Sequence, residues 1–252
     1  MDVSATASPS SLHLLVGIVD RPRATLAAVL ARPRWRWLLP LLLCLAASAL
    51  LLLVSLDELS RQAAQQQAVA MQSLESQAQG MSAAQQEQVR QQMAAFSSPL
   101  VLAVSSLVTG FLGLVIGWLL GAGILFIGLA IGGEATPYAP LVAAISWTWL
   151  PFALRDLVSA GWALATGTVR VNPGLSYFVA SGDRIADAVD PLWLLASQID
   201  LFWLWHLVLI YVLLKAARPR GSAWGLTLAY AAIYLLLRVG PAALLGRLSL
   251  GM

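Results

Sequence analysis

Four charged side chains and one histidine interrupt otherwise apolar runs. Arg155 and Asp156 lie in ISWTWLPFALRDLVSAG (145–161), Asp200 and His206 in IDLFWLWHL (199–207), and Arg238 in YLLLRVG (234–240). An ionisable group inside an apolar helix costs roughly 3 kcal/mol on insertion scales, so each of these calls for a partner. Arg155 and Asp156 are neighbours, about 100° apart around a helix, and are expected not to satisfy each other but to reach toward other helices. Arg155 stands fifteen residues past Pro140 and Arg238 fourteen past Trp224, which is about 22 Å and about 21 Å of helix rise. Asp200 opens another apolar run, where a helix N-terminus favours a carboxylate. The expectation is a cluster of Arg155, Asp156, Asp200 and Arg238 in the outer half of a bilayer, with Pro151 and Pro241 bending two of the contributing helices.

Two chemistries fit such a cluster. One is a polar site or ion path, with His206 as a proton carrier. The other is a clamp between helices, with His206 a hydrogen-bonded core residue. Two charges of each sign neutralise one another without a ligand, so the clamp is the expected role. No HExxH, GxSxG or phosphate-loop motif occurs, and His13 and His206 belong to different regions. Asp156 and Asp200 would be the only aspartate pair for an intramembrane protease, and two nearby arginines would keep them from sharing a proton. No catalytic residue, cofactor or metal is expected, and the chain reads as a non-enzyme.

The elements that must position these groups are membrane-spanning helices. Only 11% of the 252 residues are charged, against roughly 25% in soluble domains, and the mean hydropathy is +0.78. Several apolar runs reach the roughly 20 residues needed to cross a bilayer, and unpaired strands are excluded from lipid. The fold class is therefore all-α, polytopic, with five spans at about 37–56, 99–132, 140–159, 198–214 and 224–241. Cys44 is the only cysteine, so no intrachain disulfide or thiolate cluster forms, and it serves as a small filler in the first span. Leu43 argues against a lipoprotein box, and with 36 residues ahead of the first span no cleaved signal peptide is expected.

Residues 1–36 form a cytoplasmic segment. In it Asp20 is expected to cap a short amphipathic helix with Pro22 in its first turn, carrying Leu26, Val29 and Leu30 on one face. With Arg21, Arg23, Arg32, Arg34 and Arg36 around it, that helix suits an anionic membrane surface, or the arginines are a plain basic flank that sets topology, and the two roles are compatible. Residues 57–98 hold twelve glutamines and many alanines, which favour helix. Gly80 and a capping box at Ser82-Ala83-Ala84-Gln85 point to a helical hairpin extending the first two spans, with Met71, Leu74, Ala78 and Met81 at heptad spacing. In the second span Gly113, Gly117 and Gly121, then Gly128 and Gly132, recur every four residues as a ridge for close helix approach. Glu134 follows in a short loop and is expected to be solvated. Lys and Arg concentrate before the first span and at 215–220, which sets the N-terminus inside and the C-terminus outside.

Three stretches together resemble bacterial members of the Yip family, the Ypt-interacting or YIPF-type membrane proteins. These are Arg21-Pro22-Arg23-Ala24-Thr25-Leu26, Trp149-Leu150-Pro151-Phe152, and Ile199-Asp200-Leu201-Phe202-Trp203-Leu204-Trp205. The resemblance runs from residue 11 onward and implies a five-span domain, here 37–246. Eukaryotic members are adaptors that associate with Rab-type GTPases and with each other in early secretory traffic, through a cytoplasmic N-terminal region. With about 36 residues in that region, the trafficking role is not carried over, and no family catalytic residue is. The expected function is a membrane adaptor or organiser of the inner membrane, oligomerising through the glycine ridge. Its partners are the bilayer and other membrane proteins or itself, without nucleic acid or a small-molecule substrate. The alternative is a small transporter or channel component using the polar cluster.

Overall fold

Leucine, alanine and glutamine favour helix, and in the computed structural model every regular element among the described residues is helical. The structure describes residues 10–77, 85, 87–88, 91, 98–134, 136–169, 172–218 and 222–250. The helices are α1 (Ser11–Asp20), α2 (Pro22–Ala31), α3 (Leu38–Gln77), α4 (Pro99–Ile131), α5 (Tyr138–Thr148), α6 (Leu150–Thr166), α7 (Arg184–Val189), α8 (Pro191–Gln198), α9 (Leu201–Ala217) and α10 (Trp224–Leu250). A 3-10 turn at Gly174–Phe178 precedes α7. Four stretches are long and apolar enough to cross a membrane: Leu38–Gln65, Pro99–Ile131, Tyr138–Thr166 and Trp224–Pro241. The pair α8 and α9, bent by 62°, supplies a fifth.

Prolines and carboxylates punctuate the chain at helix starts. Pro22 and Pro191 open α2 and α8, where the missing N–H is no loss. Asp190 caps α8 by accepting from the N–H groups of Leu192 and Trp193, each at 3.2 Å. Pro241 lies inside α10, which continues to Leu250. The helix α3 runs without a break to Gln77, past the expected end of the first span at 56. Gly80 and most of the capping box lie outside the described residues. Over 172–196 the connection carries more regular structure than its Asn172-Pro173-Gly174 turn signal alone implies. Gly174, at φ 59°, lies against the Ile199 carbonyl where a side chain would not fit, and Leu175 N donates to that carbonyl at 3.0 Å.

The chain divides into two compact units, Met1–Cys44 with Val115–Leu154 and Val171–Met252, and Leu45–Leu114 with Arg155–Arg170. In the first, α2 packs on α1, α5 and α9, α9 packs on α5 and α10, and α8 packs on the 3-10 turn and on α10. The buried stripe of α9 is Trp203, His206, Leu209, Ile210, Leu213 and Leu214, the spacing of one helical face.

Two expectations for the N-terminal segment are corrected here. Asp20 does not cap α2. Arg21 occupies the cap position without a side-chain bond, and Asp20 pairs with Arg21 at 3.1 Å. Leu26 and Val29 do not rest on a membrane surface, because both are fully buried in a helix packed on α5 and α9. Burial among neighbouring helices removes more apolar surface from water than a one-sided lipid contact would.

Candidate functional site

Pro151 creates the most distinctive local geometry of the molecule. Lacking an N–H, it cannot continue the helical ladder back to Trp147, and the chain turns at Trp149 between α5 and α6. Phe152 N then donates to the Trp149 carbonyl at 2.9 Å, three residues back, instead of to Thr148. The Thr148 carbonyl is thereby released from the ladder, in a site where Thr148, Trp147 and His206 are all fully buried. An unpaired carbonyl in such a place costs about 1–3 kcal/mol.

His206 fills that vacancy in the bonding pattern. Its Nδ1 lies 2.7 Å from the Thr148 carbonyl oxygen and its Nε2 lies 2.9 Å from the Tyr230 hydroxyl. A carbonyl only accepts, so Nδ1 carries the proton and donates. The neutral ring then accepts at Nε2 from the Tyr230 hydroxyl. One imidazole thus bridges α5, α9 and α10. Aromatic rings enclose it: Phe152 at 5.0 Å, Tyr230 at 5.6 Å, Trp149 at 6.0 Å and Tyr234 at 6.2 Å between centroids. The Cys44 thiol lies 4.0 Å from the Trp149 carbonyl, at the same break.

Close approach of α4 on this site depends on glycine. A Cβ at Gly117 would overlap the Trp149 ring, and one at Gly121 would press on Ile145 and the Tyr230 hydroxyl. Farther along, Gly128 faces Leu226 and Gly132 faces Arg218 at similarly short range, whereas a Cβ at Gly113 would meet nothing within 4 Å. The space in front of four of the five ridge positions is filled by this chain's own side chains.

The four charges expected to cluster fall in different units and are described within each. In one, Ser48 Oγ on α3 donates to Asp156 Oδ2 at 2.6 Å. Arg155 Nε also lies 3.6 Å from Asp156 Oδ1. The long arginine side chain folds toward the adjoining carboxylate, at a distance beyond that of a strong charged hydrogen bond. In the other unit, Asp200 caps α9 by accepting from Trp203 N at 2.7 Å. Arg238 is exposed, lies 5.8 Å over the Tyr234 ring, and Nε donates to the Tyr234 hydroxyl at 3.4 Å.

At the other end of the first unit, Glu134 is not simply solvated. It pairs with Arg218 Nε at 3.3 Å, and Arg218 Nη2 donates to the Gly132 carbonyl at 3.2 Å. That arginine serves the orphan carbonyls at the end of α4, which any helix C-terminus leaves. Arg36 plays a similar part for α2. Its Nη1 donates to the Ala28 carbonyl at 2.8 Å, and its own carbonyl accepts the Trp147 indole N–H at 3.0 Å. Burial, with Arg32 nearby, lowers the Arg36 guanidinium from its ordinary value. Sequence reasoning missed both arginine staples, although Arg36 beside two tryptophans and Arg218 after a span were visible.

Among the described residues no group of three or more His, Cys, Asp or Glu is arranged to hold a metal ion. The model of one protein family, the Yip1 domain, matches residues 16–245. No match was found among curated proteins or solved structures.

Proposed function

This chain belongs to the Yip1 domain family, and from that premise we propose that it is a non-enzymatic organiser of the membrane it spans, working through protein contacts. The observation that carries this reading is the saturation of a fully buried histidine. His206 is fully buried with both ring nitrogens committed to helix-joining hydrogen bonds, so the residue best suited to move a proton is spent on architecture. The charges follow the same pattern within their units, as an N-cap at Asp200 and an interhelical bond at Asp156.

The contacts of such an organiser do not run along the glycine ridge, whose facing space is occupied at Gly117, Gly121, Gly128 and Gly132. They run through the outward apolar faces of α4 and α10. The proposed location is the cytoplasmic membrane, N-terminus inside, from the distribution of Lys and Arg. The test is reconstitution and crosslinking in mild detergent and in native membrane. Reproducible crosslinked partners or copies are expected, and a strictly monomeric, partner-free chain would overturn the proposal.

One observation favours the second reading, a transporter component: two helical runs are discontinuous, at Trp149 and before Leu201, and broken helices line substrate sites in many transporters. Solute or proton flux in proteoliposomes that is lost in His206→Ala would favour this alternative. Flux indistinguishable from empty liposomes would remove it.

A further inference from the structure

We infer that α1 is a membrane-surface helix in its own right, seating an outer stripe of Leu12, Val16 and Val19 among the acyl chains of the anionic leaflet from which α3 departs. The three residues recur at i, i+4 and i+7 and are 71%, 69% and 67% exposed. The opposite stripe, Leu14 and Ile18, is buried. Gly17 lets α1 approach α2 so closely that a Cβ there would strike the Thr25 hydroxyl, and α2 is packed on α5 and α9. The outer stripe is therefore held facing outward by a module anchored to membrane-spanning helices.

Charge and continuity identify what covers it. Arg21, Arg23, Arg32 and Arg34 are all exposed, and Asp20, the only acidic residue in 10–37, is paired with Arg21. The module leads within a few residues to α3 through Trp35 and Trp37, whose rings stack at 6.5 Å. Trp35 is exposed and adopts φ 43°, a conformation that bulky residues seldom take, and it stands between Arg34 and Arg36 in the chain. Basic residues and tryptophan beside an aliphatic stripe are the composition of an interfacial helix. Three aliphatic side chains fall well short of the roughly 1,200 Å² at which specific protein interfaces begin, which disfavours a second copy as occupant.

The test uses the full chain in nanodiscs, with a single cysteine carrying an environment-sensitive fluorophore at Val16 in a Cys44→Ala background. Leu53 on α3 and Gln65 serve as lipid and water references, and Leu12 and Val19 as independent second positions. In discs containing phosphatidylglycerol, brominated acyl chains should quench the Val16 label about as strongly as the Leu53 label. Iodide should quench it severalfold less than the Gln65 label. In phosphatidylcholine alone the brominated-lipid quenching should fall and iodide quenching rise, and Arg23→Gln with Arg32→Gln should abolish the difference between the two compositions. Iodide quenching equal to that at Gln65 would overturn the proposal by putting the stripe in water. Protection from both quenchers would overturn it by putting protein there, and indifference to phosphatidylglycerol would overturn the anionic part.

Discussion

The function of His206 follows from a bond that is missing elsewhere. Pro151 withholds one N–H, the ladder shifts, and the Thr148 carbonyl is left for an imidazole four helices further along the chain. His206→Ala orphans that carbonyl and the Tyr230 hydroxyl together, so it should destabilise the protein by about 2–6 kcal/mol, taking roughly 1–3 kcal/mol per buried group. Tyr230→Phe removes one of the two bonds and should cost about 1–2 kcal/mol. Unfolding in mild detergent should rank the variants in that order, with the double variant short of the sum. Asp156→Asn and Ser48→Ala should each lose about 1 kcal/mol and show coupling in a double-mutant cycle, because they share one hydrogen bond. The residue types at this scale were legible in the sequence, since isolated polar groups in apolar runs stand out. Their partners were not, because Thr148 carries no sign in its own side chain that its carbonyl is free. The 3.6 Å approach of Arg155 to Asp156 was not legible either, since helical angle describes Cβ directions and says little about where a long guanidinium ends.

At the scale of elements, long apolar runs with a proline at the start were the most legible. The run from Pro99 was read as a helix to 132 and is one to Ile131. The split of 191–217 into α8 and α9 is carried by one residue, Asp200, which caps the second helix and so ends the first. Asp200→Ala should lower stability by about 0.5–2 kcal/mol, the usual loss for an N-cap, with Asp200→Asn largely preserving it. The short α1 and the burial of α2 were not legible, since an amphipathic pattern is the same whether its apolar face meets lipid or protein. The glycine ridge was visible as a spacing, but not which side chains fill it. Gly117→Leu and Gly121→Leu should each destabilise by about 1–3 kcal/mol through overpacking against Trp149, Ile145 and Tyr230. Gly113→Leu should stay within about 0.5 kcal/mol, as for a site with open space in front. Thermal-shift measurements on the three variants read this contrast directly.

For the whole molecule, a helical protein of the Yip1 domain family with four to five candidate spans carries a buried histidine whose ring nitrogens reach two other helices. Exposed leucine, isoleucine and valine side chains are frequent along α4 and α10, the surface through which the proposed contacts would run. The sequence made the class plain through its low charge and long apolar runs. It could not tell a lipid-facing leucine from a partner-facing one, because both demand the same chemistry. Site-directed photo-crosslinking in the native membrane separates them. With a photoreactive side chain placed in turn at Phe111, Ile116, Phe126, Leu228 and Leu236, all exposed, discrete higher-mass adducts are expected at a subset of positions on one face. A chain that stays uncrosslinked at every position, in membranes where a known complex crosslinks, would contradict the account.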